Sequence, residues 1–201
     1  ILSGTYYMIV KKYIHIVIVA AALMQTGVLF ADWQLSITGA DSEGISASHT
    51  ITLGTCENCS DGWQYGEDQY DTPSPPGSES TNIHFYHPEW NGAEDENGNC
   101  NCINGCWGGC SLTFNTDYRS THSPSELISW GISGNTNNLS LEIPINLSWD
   151  AESLDSLSDD YELYLYVGET GYDMRGSTSI SIYKEEMYLN GNDPNIKVLM
   201  G

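Results

Sequence analysis

The chain has 201 residues, with 27 acidic residues against six basic ones, 13 tyrosines, six tryptophans and six cysteines. All 27 acids lie after residue 31, while Lys11 and Lys12 lie before it, so residues 32–201 keep only four cations. A field of that sign repels phosphates, which excludes nucleic acid and anionic membranes as partners and suits either a solvated surface in salty water or divalent cations.

The chain opens with Ile1, and Met8 offers a start. From there Lys11-Lys12, an apolar run from Ile14 to Ala22 and a second from Leu23 to Ala31 read as a secretory signal peptide. The cut is expected after Ala31, with residues 1–7 as upstream read-through and 1–31 removed. The alternative is an uncleaved anchor over Tyr13 to Ala31, which is long enough to span; nothing after it resembles a stop-transfer pattern. The expected location is therefore secreted or cell-surface, with residues 32–201 as one domain.

Trp33, Leu35 and Ile37 alternate with Gln34, Ser36 and Thr38. After Asp41-Ser42-Glu43-Gly44 the alternation resumes through Ile45, Ala47, His49, Ile51 and Leu53, a period of two that predicts a hairpin. The second strand is expected to turn at Gly54. Residues 55–82 read as loop, because Pro73, Pro75 and Pro76 cannot donate to a ladder. Further strands are expected over Ile83–His87, Leu112–Tyr118, Leu127–Ile132, Leu139–Trp149, Tyr161–Val167, Ser177–Tyr183 and Asn195–Met200, with a cysteine-rich insert near 91–111. Pro144 is expected to bend or edge its strand, and Asp150 to Asp160 to hold one helical turn. About nine strands with turns roughly every ten residues predict an all-β antiparallel sandwich, Ig-like or jelly-roll-like.

Several landmarks resemble a known family. They are Leu53-Gly54 leading to Ser60-Asp61-Gly62-Trp63, then Asp68-Gln69-Tyr70-Asp71-Thr72-Pro73, then His87-Pro88-Glu89-Trp90. Later come Leu147-Ser148-Trp149-Asp150, Tyr164-Leu165-Tyr166 and Asp173-Met174-Arg175. This order is similar to the β-sandwich module of secreted, type IX secretion-associated surface proteins of Bacteroidetes-like and marine bacteria. The resemblance covers most of residues 33–185 and implies a scaffold within a longer exported protein, with a sorting domain beyond Gly201. Cys56, Cys59 and the insert from Cys100 to Cys110 depart from that pattern.

The cysteines fall in two groups, Cys56 and Cys59, then Cys100, Cys102, Cys106 and Cys110. In an exported chain an even count predicts disulfides, three bonds with fifteen connectivities. Joining the two groups would close about forty residues and contribute roughly 3–4 kcal/mol. A zinc or iron–sulfur site is the rival. A redox-active pair ranks last, since it lacks the helix terminus that lowers a thiol pKa.

Asp61, Glu67, Asp68 and Asp71 on one Gly-containing loop are the candidate ligands of a structural calcium, the one cofactor the sequence suggests. Glu94-Asp95-Glu96 fails as an EF-hand, because Gly98 in sixth place puts Ala93 first and Asn104 twelfth. His84 and His87 point to opposite faces of a strand and cannot share one ion. No His-Glu-x-x-His, Gly-x-Ser-x-Gly or phosphate loop occurs.

The expectation is a non-catalytic extracellular structural or adhesion-type module, not an enzyme, whose partners are other domains of the same exported protein. The alternative is a carbohydrate-binding module using Trp63, Trp90 or Trp107 as a stacking platform for extracellular glycans. A secreted hydrolase or a metal-binding protein ranks behind these.

Overall fold

The computed structural model describes residues 32–71, 80–101, 112–137, 139–140, 142–190 and 193–201. The expected hairpin forms from β1 (Trp33–Asp41) and β2 (His49–Cys56), with Leu35 opposite Leu53 and Ile37 opposite Ile51. Their apolar side chains all point inward, as the period of two requires. The turn is built on Asp41, whose carboxylate accepts from the backbone N–H groups of Glu43, Ile45 and Ser46 and from the Ser46 hydroxyl. Burial works against the Asp41 charge, but these four donors outweigh it and hold the pKa at about 2.

The remaining strands are β3 (Ser80–Tyr86), β4 (Thr113–Phe114), β5 (Thr116–Ser120), β6 (Ile128–Asn137), β7 (Ile145–Trp149), β8 (Leu163–Val167), β9 (Thr170–Asp173), β10 (Ser179–Ile182), β11 (Leu189–Asn190), β12 (Asp193–Pro194) and β13 (Ile196–Met200). One sheet runs β10-β7-β1-β2-β5 and the other β4-β3-β6-β13-β8-β9, with β11 and β12 as a separate ribbon. The fold is the all-β sandwich that the alternation predicts. Every ladder is antiparallel except β2 with β5. Short edge strands such as β9 and β10 limit the pairing surface offered to other chains.

Between the sheets lie Leu35, Ile37, Ile51, Leu53, Ile83, Phe85, Ile132, Leu147, Leu165 and Val198, each fully buried. Burying one such side chain is worth about 1.5–3 kcal/mol against leaving it exposed. Trp33 and Trp130 meet edge to face, ring centroids 6.4 Å apart. Three core tryptophans donate their indole N–H to backbone carbonyls: Trp33 to Ser153, Trp130 to Asp117 and Trp149 to Met174.

Three expectations are corrected. Gly54 does not end its strand: it sits inside β2, opposite Gln34 and beside Tyr118, where a Cβ would collide with the Trp33 carbonyl. The strand expected over Leu112–Tyr118 is two, because the chain passes from one sheet to the other across the single residue Asn115. The strand expected from Leu139 begins only at Ile145, directly after Pro144, whose carbonyl accepts from Ser42. The expected helical turn is a 3-10 segment, Ala151–Ser156, capped by Asp150 accepting from the Glu152 N–H. Among the described residues no helix is long and apolar enough to cross a membrane.

Candidate functional site: an acidic cavity over a buried charge network

Strand β2 ends at Cys56 and β3 at Tyr86, and they lead into two loops, 57–71 and 87–101. The first begins with a disulfide between Cys56 and Cys59, Cα atoms 5.2 Å apart. It then runs against β4 and β5: Asp71 N–H donates to the Thr113 carbonyl, Asn115 N–H to Gln69, and the Thr116 hydroxyl to Glu67. The second loop opens on a 3-10 turn, Pro88–Trp90, with proline at its first position where no N–H is needed. Asp95 shapes the rest, accepting from Asn97 N–H, Asn99 N–H and the Asn99 amide. Gly98, at φ 78°, supplies the left-handed residue of that turn. Asn101, fully buried, donates to the Trp90 carbonyl.

The loops enclose a cavity of about 430 Å³. Cys59, Trp63 and Trp90 line it together with Glu67, Glu94 and Glu96, and Asn58 and Gln64 add amide groups. That volume falls in the range of small-molecule sites. Burial first, and then the charge of Glu96, push the Glu67 carboxyl above the usual range, although the Ser60 N–H bonds to it at 3.1 Å.

Beside the cavity Asp117 of β5 is wholly buried and accepts from His87 Nε2 at 2.7 Å. Arg119 Nε lies 2.7 Å from its other oxygen, and His87 Nδ1 meets Glu89 at 2.7 Å. Burial alone would push His87 down, but the bonds to Asp117 and Glu89 outweigh it and raise the pKa. Trp90 stacks on His87 with centroids 3.7 Å apart, and the Arg119 guanidinium lies 5.2 Å from the Trp90 ring centre. Asp68 is buried next to this group. Burial and the neighbouring Asp117 push its carboxyl up to about 8, against the Gln64 and Tyr118 N–H groups that bond to it.

The four calcium candidates are not brought together. Asp61 accepts from Ser120 and faces His122 at 3.1 Å, Glu67 lines the cavity, and Asp68 is buried behind it. Asp71 turns away to His49 Nε2 at 3.2 Å and His84 Nδ1 at 3.7 Å. Burial raises the Asp71 pKa, but His49, Asn82 and His84 pull it below the usual range. Among the described residues no group of three or more His, Cys, Asp or Glu is placed to hold a metal ion. His84 and His87 diverge to different carboxylates, as the strand alternation requires.

Trp63 and Trp90 are corrected as stacking platforms: at 3% and 4% exposure they are walls of the interior. The Trp90 ring packs against His87, three residues before it, and against Phe114, which no local window of sequence contains. Tyr65, 67% exposed on the same loop, is the aromatic that does face solvent. Cys56 and Cys59 pair with each other, so they do not join the two cysteine groups, and Cys100 is disulfide-bonded too. Cys102, Cys106, Trp107 and Cys110 lie outside the described residues. Asp117 and Arg119 escaped the sequence reading. The one available signal was an arginine beside an aspartate on a strand, in a domain with only four cations.

Fold and site together define an all-β sandwich carrying a loop-built acidic cavity. Compared with protein-family models, curated proteins and solved structures, the chain has no match.

Proposed function

We propose that this chain is a non-catalytic extracellular module, structural or adhesive, within a longer exported protein. The observation that carries the reading is the way both loops are locked to the sandwich. Cys56–Cys59 staples one, and Glu89–His87–Asp117–Arg119 braces the other. Both His87 ring nitrogens face carboxylates, so this buried histidine is committed to holding structure. Disulfides and an excess of acid suit an oxidising, aqueous exterior. Export is tested by expressing the gene in its native cell type and sequencing the mature N-terminus. A chain starting near Asp32 with oxidised cysteines supports the reading; a cytoplasmic chain with free thiols overturns it.

A second reading, a carbohydrate-binding module, is favoured by the cavity. Its ligand would enter between the loops, not stack on an exposed tryptophan. A glycan screen with the oxidised chain tests it, and binding to no sugar sinks it.

A further inference from the structure

We propose that His49, Asp71 and His84 form a proton-governed clasp: one proton shared by the two histidines holds the end of loop 57–71 to the sandwich, and a second proton, or loss of the first, lets it go. The same loop walls the cavity, so the clasp sets the pH at which that wall is held.

The clasp is built from three segments. His49 opens β2 in the five-stranded sheet, His84 lies within β3 in the six-stranded sheet, and Asp71 ends the loop. The sheets meet at this corner, where the Thr81 N–H donates to the Ala47 carbonyl at 3.2 Å. Asp71 reaches into it with 5% of its side chain exposed; His49 Nε2 lies 3.2 Å from Oδ1, and the Asn82 amide donates to Oδ2 at 3.2 Å. His84 Nδ1 lies 3.7 Å from Oδ2, an ion-pair distance too long for a hydrogen bond, and no hydrogen bond meets it. The His49 side chain, 22% exposed against 10% for His84, is the ring that exchanges protons with water. Two backbone bonds dock the loop end beside the clasp, from the Asp71 N–H to Thr113 and from the Asn115 N–H to Gln69.

The argument from charge is a count. One carboxylate balances one cation, so a single proton on the two rings makes the corner an ion pair. Two protons leave a net positive charge there and none leaves a net negative one, and burial penalises both. The charges acting on the rings are that of Asp71 and, on His84, that of His49. Asn82 and the Ile83 carbonyl, which also face the group, are neutral.

The two limbs have opposite sign. For His49 the close Asp71 carboxylate outweighs burial and raises the pKa above 6.5, so its contribution is complete below that value and is lost as pH climbs through the folded one. For His84 burial comes first and, with repulsion from His49, outweighs the pull of Asp71. Its pKa is lowered, so its contribution is complete above 6.5 and is lost as pH falls. Asp71 itself lies below its usual range and stays ionised between the limbs.

The test is amide exchange in the oxidised chain across the histidine range, read at Asp71 and Asn115 and corrected for intrinsic rate, with core amides of Leu35 and Leu53 as the global baseline. Protection of the loop end relative to that baseline is expected to peak near the ordinary histidine pKa of 6.5 and to fall about tenfold on either side. His84→Gln is expected to abolish the acid limb and keep the alkaline one, and Asp71→Asn to abolish the peak. In His49→Gln the remaining ring takes over the proton, so His84 is expected to gain about tenfold in proton affinity, read by ring-proton NMR. The wild-type rings keep the test valid if a variant does not fold, because each ring resonance is expected to report the titration of both. A loop end whose protection follows the core at every pH overturns the proposal. So does an acid limb that survives His84→Gln, or a His84 titration unmoved by His49→Gln.

Discussion

Trp90 lies flat on His87, ring centroids 3.7 Å apart and planes within 12°, and the imidazole it covers is the one held between Asp117 and Glu89. The indole thus seals a buried ion pair from water, and the ion pair fixes the angle of the loop that carries the indole.

His87→Ala is expected to destabilise the fold by about 3 kcal/mol, because it uncovers Trp90 and removes one of the two charge partners, His87 and Arg119, that hold the buried Asp117. Glu89→Gln is expected to cost less than about 1 kcal/mol, since Glu89 is largely exposed. Urea denaturation of the two variants checks the contrast. Equal losses would place the stability in the exposed half of the network.

Asp68 sets a second pH dependence. Its folded pKa, about 8, lies above the ordinary 3.8, so its contribution is complete below pH 4 and is lost as pH rises towards 8. His87, also raised, contributes below about 6.5 and loses that contribution as pH climbs through its folded value. Both slopes have the same sign. Asp68→Asn is expected to flatten the pH 4–8 stability profile, by up to ~1.4 kcal/mol per pH unit, and to leave the His87 portion. Thermal unfolding across that range checks it; an unchanged profile would mean that Asp68 is ionised in the fold.

At the other end of the sandwich the sign reverses. Asp41 is depressed to about 2, so its stabilisation is present above about 3.8 and lost as pH falls through 2. Asp41→Ala is expected to cost about 2 kcal/mol at neutral pH by orphaning the N–H groups of the β1–β2 turn. Amide exchange at Glu43, Ile45 and Ser46 should rise before global unfolding does.

Reduction of Cys56–Cys59 opens a ring of only four residues. The chain-entropy model assigns such a ring about 2 kcal/mol, less than the 3–4 kcal/mol of a bond joining the two cysteine groups. A Cys56→Ala/Cys59→Ala variant is expected to lose about that amount, read as a shift in urea midpoint, with the sheets retained by circular dichroism.

The strands were legible because their signal is local: Trp33, Leu35 and Ile37 declare their shared face within five residues. Asp150 marked the start of its 3-10 turn for the same reason, whereas Pro144, read as a bend within a strand, proves to stand just before that strand begins. Gly54 misled, because a glycine that admits a neighbouring strand looks in sequence like one that turns the chain. The site was hidden by separation. His87 and Asp117 are thirty residues apart, and Asp71 finds its partners at 49 and 84, neither on its own loop. The loop carboxylates read as one set in sequence because their separate partners, Ser120 and His122 for Asp61 and His49 and His84 for Asp71, lie outside the loop. The burial of Trp90 likewise depends in part on Phe114, twenty-four residues further on, which packs against its ring.

The passage from β4 to β5 through Asn115 alone bears on how the protein yields to force. On that flank a strand of one sheet runs directly into a strand of the other, and on the opposite flank residues 174–178 join β9 to β10. Each long side of the sandwich is therefore sewn by the chain itself. Load that would slide one layer over the other, or part them like the halves of a shell, has to be borne by covalent backbone at both seams before the packed interior opens.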